Sequence, residues 1–361
     1  MSTLGTAANF SDTPRDVRAE DAFDVAAMQH WLSRAVPQIG TENPLVQQFP
    51  GGASNLTYLL RYPDRDLILR RPPAGTKAAS AHDMQREFRV QQQLAADFGL
   101  VPQVLALCTD PSVIGSDFYV MTRVPGLILR GDLPAGFTLD PATAKQLCAS
   151  VVTCLVELHA VDPAAAGLAD LGKGAGYVNR QVIGWSKRYR AAKTDNVPDF
   201  ESVMAWLAAH QPDDVGICVV HGDYRLDNLV LDPDQLTVRA LLDWEMATLG
   251  DPLMDLGCAM AYWVQADDDE GMQLARRQPS NAAGMMTRSE FVAAYCEQAG
   301  QSTQNWVFYE VFGIFRLAVI AQQIYYRYHH GETTNPAFAN FHAWVSYADQ
   351  RCQKLIAAAP R

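Results

Sequence analysis

The densest set of side chains able to do chemistry is His221-Gly222-Asp223-Tyr224-Arg225-Leu226-Asp227-Asn228, with Asp243 fifteen residues beyond Asn228. Leu229 to Asp232 and Thr237 to Leu242 read as short strands around Pro233-Asp234, so a hairpin is predicted to return Asp243 beside Asn228. Phosphoryl transfer uses such a set: one carboxylate holds the attacking hydroxyl, while a carboxylate and an amide bind Mg2+ bridging the phosphates. Mg2+ prefers hard oxygen ligands and keeps waters, so two protein ligands suffice. Asp223 then takes the base position, Asn228 and Asp243 the metal, and His221 reads as a brace for the loop.

The elements that would position these groups fall into two parts. Asp24 to Val36 has apolar residues at helical spacing, Phe49 to Asn55 is a turn cluster, and Leu56 to Tyr62 and Leu67 to Arg70 are strands joined at Pro63-Asp64-Arg65-Asp66. Ser80 and Asp83 form a capping pair for a helix whose Met84, Phe88, Ala95 and Phe98 share a face, closed by Gly99. Further strand-like runs end in Phe118-Tyr119-Val120-Met121. From Asp140-Pro141 the character changes: Leu147, Val151, Leu155 and Leu158 mark a long amphipathic helix, and the rest is mainly helical apart from Ile217 to Asp243. The expected fold class is α+β, with a small mixed lobe over 20–123 and a mainly helical lobe over 124–361.

HGDxxxxN followed by an Asp after a hairpin resembles the catalytic and metal segments of aminoglycoside phosphotransferases and choline kinases. The likeness is strongest to phosphotransferase-like domains that stand alone in bacteria or are fused to acyl-CoA dehydrogenases, which carry similar HGDxRLDN and LDWE segments. Protein kinases share the Asp-to-Asn interval but have Arg where this chain has Gly222, and Phe-Gly where it has Trp244-Glu245. The resemblance implies a bilobal protein-kinase-like fold that uses ATP and Mg2+. It places Arg70 on the nucleotide phosphates, with Arg for the commoner Lys, and Glu87 as its ion-pair partner. Arg71 should point to the opposite face by strand alternation. Gly51, Gly52, Ser54 and Asn55 stand where a phosphate-covering loop belongs, although Gly51-Gly52-Ala53-Ser54-Asn55 by itself is only a turn. Thr122 and Val124 fall at the hinge, where backbone groups would meet adenine, and Asp255 matches a brace for the catalytic loop. Tyr177, Arg180, Arg225 and Glu245 are candidate acceptor contacts, although Gly172 to Gln181 also reads as an ordinary helix N-terminus. Only seven residues separate Asp243 from Asp251, too few for a long activation segment, which disfavours a protein substrate.

The bulk numbers narrow the classes. In 361 residues, 48% hydrophobic and 19% charged describe a globular chain. Asp and Glu outnumber Lys and Arg by 40 to 29, a net charge of -11 that disfavours a polyanionic partner such as nucleic acid. Seven scattered cysteines without CxxC suit reduced thiols and argue against zinc. The N-terminal segment lacks an apolar core, and the apolar stretch from Trp306 to Ala321 contains Glu310 and Arg316, so it reads as a buried helix rather than a membrane span. The expectation is a cytoplasmic kinase acting on a small molecule with a hydroxyl group, a hydroxy acid or hydroxyacyl-CoA before an aminoglycoside or choline, with the oligomeric state open. The competing readings are a non-catalytic nucleotide-binding protein of the same fold and, more weakly, a metal-dependent hydrolase.

Overall fold

The computed structural model describes residues 13–50, 55–73 and 83–359, which form two compact units. The first comprises residues up to Ile128, Ala166–Leu168 and Asn228–Ala247; the second comprises Leu129–Ala165, Ala169–Asp227 and Thr248 onward. The sequence reading divides the chain once, after Arg123. The first unit continues to Ile128 and recruits a later segment because Leu127 and Leu231 exchange backbone hydrogen bonds of 2.9 and 2.8 Å.

In the first unit α1 (Val25–Ala35) begins at Asp24, whose carboxylate accepts the Ala27 N–H at 2.9 Å. An antiparallel sheet follows in the order β1-β2-β3-β5-β4, made of β1 (Leu45–Gln48), β2 (Leu56–Arg61), β3 (Asp66–Arg71), β4 (Val104–Cys108) and β5 (Phe118–Thr122). β1 lies outside the expected strands. It is four residues long, ends in two glutamines, and is held by pairing with β2 rather than by any hydrophobic alternation of its own.

Period-two alternation gives the sheet two faces. Tyr58, Leu60, Leu67, Leu69, Phe118 and Val120 pack with Met28 and Leu32 of α1. Leu59, Ile68, Tyr119 and Met121 pack with Met84 at the start of α2 (Met84–Leu94). Asp83 caps α2, accepting the Arg86 N–H at 3.0 Å; its expected partner Ser80 lies outside the described residues. The helix ends at Leu94, short of Gly99, and its buried face is Met84, Glu87, Val90, Gln91 and Leu94. Two polar residues on that face foreshadow a buried network. A short helix, α3 (Pro111–Ile114), lies between β4 and β5.

The second unit is helical: α4 (Pro141–Ala160), α5 (Tyr177–Ala192), α6 (Glu201–Ala209), α7 (Pro252–Tyr262), α8 (Glu270–Ala275), α9 (Arg288–Ala299), α10 (Trp306–His329) and α11 (Phe341–Ala358). Its one ribbon pairs β6 (Cys218–Val220) with β9 (Thr248–Gly250); the hairpin of β7 (Leu229–Leu231) and β8 (Val238–Leu241) belongs to the first unit. α7 and α10 touch backbone to backbone at Gly257 and Gly313, where a Cβ on Gly313 would lie 2.1 Å from the Gly257 carbonyl oxygen. α10 has the length and composition of a membrane span, yet 67% of its most apolar window is buried within the protein.

Candidate active site

The candidate residues divide between the two units. In the first, hairpin closure sets the metal candidates together: Leu242 N–H donates to the Asn228 carbonyl at 2.8 Å, so Asn228 enters β7 where Asp243 leaves β8. Trp244 anchors the exit, fully buried, its Nε1–H donating to the Leu241 carbonyl at 2.9 Å and its ring edge-on to Phe98. Asp243 itself has φ +66°, a left-handed conformation that Asp tolerates better than most residues and that clusters at functional sites.

Arg70 and Arg71 show what strand alternation does with two adjacent cations. Arg71 faces α1: its guanidinium donates to the Tyr58 hydroxyl and the Asp21 carbonyl and lies over the Phe23 and Tyr58 rings. Arg70 faces the other way. Its Nη2 donates to Asp243 Oδ1 at 2.8 Å and its Nε lies 3.3 Å from Glu87 Oε2. Glu87 also accepts hydrogen bonds from Asn55 Nδ2 at 2.7 Å and from the Tyr119 hydroxyl at 3.0 Å. Burial pushes the Glu87 carboxyl up from its ordinary range, and the Arg70 charge offsets only part of that. The group is a buried, internally paired cluster, and deleting one charged member leaves the others uncompensated at a cost of about 3–5 kcal/mol.

Three of the sequence assignments fall here. Gly51, Gly52 and Ser54 lie outside the described residues, while Asn55 binds Glu87 rather than presenting only backbone. The Thr122 N–H is spent on the Gln103 carbonyl at 2.9 Å, leaving only its carbonyl for adenine, whereas the Val124 backbone makes no hydrogen bond among the described residues. Glu245, an expected acceptor contact, lies in the first unit, where its carboxylate accepts from Asn55 Nδ2 at 3.2 Å.

The second unit holds Asp223 on a braced turn. Gly222 has φ +81°, which explains glycine at this position. Asp255, in the first turn of α7, accepts the His221 and Gly222 N–H groups, each at 2.8 Å, and lies 3.2 Å from His159 Nε2. The other ring nitrogen of His159, Nδ1, lies 2.6 Å from the Tyr295 hydroxyl. Burial alone would raise the Asp255 carboxyl, but the hydrogen bond and charge of His159, with His221, hold it below the usual range. His221, fully buried, accepts the Asp223 N–H at Nδ1, 3.2 Å away. Leu226 N–H is held by Gln278 Oε1 at 2.8 Å, and Arg316 Nη2 donates to the Gly222 carbonyl at 2.7 Å.

Arg225 lies over the Tyr262 ring, 4.7 Å from its centroid, and forms ion pairs of 3.2 Å with both Asp223 and Asp227. The Tyr177 ring lies against Gly250, leaving no room there for a Cβ. Arg180 turns back on its own loop and donates to the Gly174 and Ala175 carbonyls, so it tightens the start of α5 instead of offering a free guanidinium. Asp214 caps the same helix by accepting the N–H groups of Gly176, Tyr177 and Val178.

Sequence reasoning did not find His159, Gln278 or Arg316 as parts of this site. Their partners lie 96, 52 and 94 residues away along the chain, and no local spacing marks them.

A sheet-and-helix unit carrying Arg70, Glu87 and Asp243, joined to a helical unit carrying the HGD turn, defines a phosphotransferase of kinase-like fold. Residues 45–306 match the phosphotransferase enzyme family, and the chain belongs to it. It is 38% identical over 314 residues to acyl-CoA dehydrogenase family member 10 of Mus musculus, covering 87% of this chain and 29% of that protein. With acyl-CoA dehydrogenase family member 11 of Rattus norvegicus it shares 34% over 333 residues, 90% of this chain and 42% of the other. The chain therefore spans well under half the length of these curated relatives. Among solved structures, a putative aminoglycoside phosphotransferase of Ralstonia eutropha superposes with a TM-score of 0.79 at 31% identity, covering 94% of this chain and all of that one. A choline kinase of Cryptosporidium parvum, at 11% identity and TM-score 0.63 with 92% and 96% coverage, shares the fold.

Proposed function

We propose that the protein is a Mg2+- and ATP-dependent kinase that phosphorylates the hydroxyl of a small molecule, favouring a hydroxy acid or hydroxyacyl thioester over an aminoglycoside or choline. The observation that carries this reading is the placement of Asn228 and Asp243 at the open end of one hairpin, with Asp243 tied to the buried Arg70–Glu87 pair. One carboxylate and one amide oxygen suit Mg2+, which retains waters, better than zinc or a dedicated cage. Among the described residues there is no cluster of three or more His, Cys, Asp or Glu that would hold another metal.

Asn228 and Asp243 would hold the ion, whose contribution is to neutralise charge on the phosphate oxygens. Arg70 supplies a planar, permanently charged fork for those oxygens, and Glu87 with Asn55 fixes its direction. The Val124 backbone and the Thr122 carbonyl are the groups offered to adenine. Asp223 orients the attacking hydroxyl and takes its proton, from a backbone fixed by His221 and Asp255. The names of the relatives, acyl-CoA dehydrogenases, support an acyl-derived acceptor. Seven free, buried cysteines support a cytoplasmic setting, and the net acidity supports small molecules rather than nucleic acid or membrane as partners.

A screen of ADP formation with hydroxy acids, hydroxyacyl-CoA thioesters, aminoglycosides and choline, with and without Mg2+, tests the reading. Mg2+-dependent turnover of a hydroxy acid or thioester is expected. Thermal stabilisation by Mg-ATP without transfer to any acceptor would instead identify a non-catalytic nucleotide-binding protein.

A further inference from the structure

α4 buries an apolar stripe through Leu147, Val151, Leu155 and Leu158, and the next residue, His159, turns a polar ring inward with 4% of its side chain exposed. Both ring nitrogens meet other helices. Nε2 lies 3.2 Å from Asp255 Oδ2 of α7, and Nδ1 lies 2.6 Å from the hydroxyl of Tyr295, a fully buried residue of α9. Asp255 passes the contact on: its Oδ2 also accepts the His221 N–H and its Oδ1 the Gly222 N–H, so the carboxylate that grips the turn before Asp223 is itself oriented by His159. A buried carboxylate needs its oxygens hydrogen-bonded to stay an anion, and His159 makes the largest of the contributions that oppose the burial of Asp255. An apolar side chain at 159 would extend the stripe and satisfy packing alone; an imidazole set between a carboxylate and a phenol satisfies a directional requirement as well.

We propose that His159 is a positioning residue for phosphoryl transfer: it fixes the direction of the Asp255 carboxylate and, through the two N–H groups that Asp255 holds, the place of Asp223. The route from Tyr295 to His159 to Asp255 to the turn runs within the second unit and includes none of Arg70, Glu87, Asn228 and Asp243. It therefore acts on the base and not on the nucleotide. A base displaced by about 1 Å costs about 10²-fold in rate. The inference rests on the kinase reading for its effect on turnover, but not for the brace itself.

The experiment uses the full chain with His159→Leu, His159→Gln and Tyr295→Phe. Amide hydrogen exchange at the turn is followed alongside calorimetric binding of Mg-ATP and ADP formation with the fastest acceptor of the screen. His159→Leu is expected to speed exchange at His221, Gly222 and Asp223 by about tenfold while α4, α7 and α9 exchange as in wild type. Its kcat per nucleotide-binding site should fall about 10²-fold, with KM for ATP within a few-fold. His159→Gln, whose amide N–H can take the place of Nε2, should recover most of both. Tyr295→Phe loses only the hydroxyl and should shift both in the same direction by less; it carries the test if the Leu variant does not fold, a wild-type result then counting against the proposal. Exchange raised equally along the three helices would make His159 a packing residue and overturn the proposal, as would an unchanged kcat on a loosened turn or a Gln variant no better than Leu. If wild type forms no ADP with any acceptor while the exchange contrast holds, the kinase reading falls and the brace stands.

Discussion

Arg70 and Arg316 are both buried arginines in apolar elements, and their surroundings differ in one respect. Arg70 has its anions built in, Glu87 and Asp243, whereas Arg316 has the Gly222 carbonyl and the Trp185 ring. The first unit thus carries a self-compensated charge cluster that folds with its geometry already set. In the second unit Arg316 is held by a backbone carbonyl and an aromatic ring, and its guanidinium braces the turn that carries Asp223.

The largest effect expected in breaking this comparison comes from Asp223→Asn. The variant should fold and bind Mg-ATP as wild type does, while turnover falls by about 10³-fold. Full activity in a phosphoryl-transfer assay would remove the base from the second unit altogether. Next come the adjacent arginines. Arg70→Met strands Glu87 and should cost about 3 kcal/mol in denaturant unfolding together with a raised KM for ATP. Arg71→Met should cost about 2 kcal/mol with KM unchanged, since its partners are Tyr58 and Asp21 on the α1 face. Equal effects on KM would contradict the two-faced placement.

A smaller, pH-dependent contrast sharpens the second unit. Folding lowers the Asp255 carboxyl below its unfolded value of about 3.9, so its contribution is complete above that value. It is lost as pH falls through the folded value. Melting temperatures followed downward from about pH 5 should show a decrement that Asp255→Asn, already less stable at neutrality, lacks. Smallest is Arg180→Ala, which loosens a loop and should change stability by less than about 1 kcal/mol with acceptor KM within a few-fold. A tenfold rise in that KM would restore Arg180 as an acceptor contact.

Much of this was legible because the chemistry is local. Asp223, Asn228 and Asp243 lie within one turn and one hairpin, and the opposed faces of Arg70 and Arg71 follow from alternation alone. What escaped is long-range or locally unremarkable. β1 is a strand only because β2 is beside it, and the Thr122 N–H is lost to Gln103 through sheet pairing that no motif encodes. Glu245 follows Trp244 directly, and only the path of the hairpin exit assigns it to Asn55. Arg316 was visible as a charge interrupting an apolar run, but nothing in the run says which loop it meets.

The recruitment of Asn228–Ala247 by the first unit also bears on synthesis. That unit is incomplete when Ile128 emerges from the ribosome and is completed 119 residues later, at Ala247. At ordinary elongation rates this is a wait of about 6–24 s, during which Phe98 lacks Trp244 and the Arg70–Glu87 pair lacks Asp243. A nascent chain stalled before residue 228 should therefore be a better chaperone client than one stalled after 247.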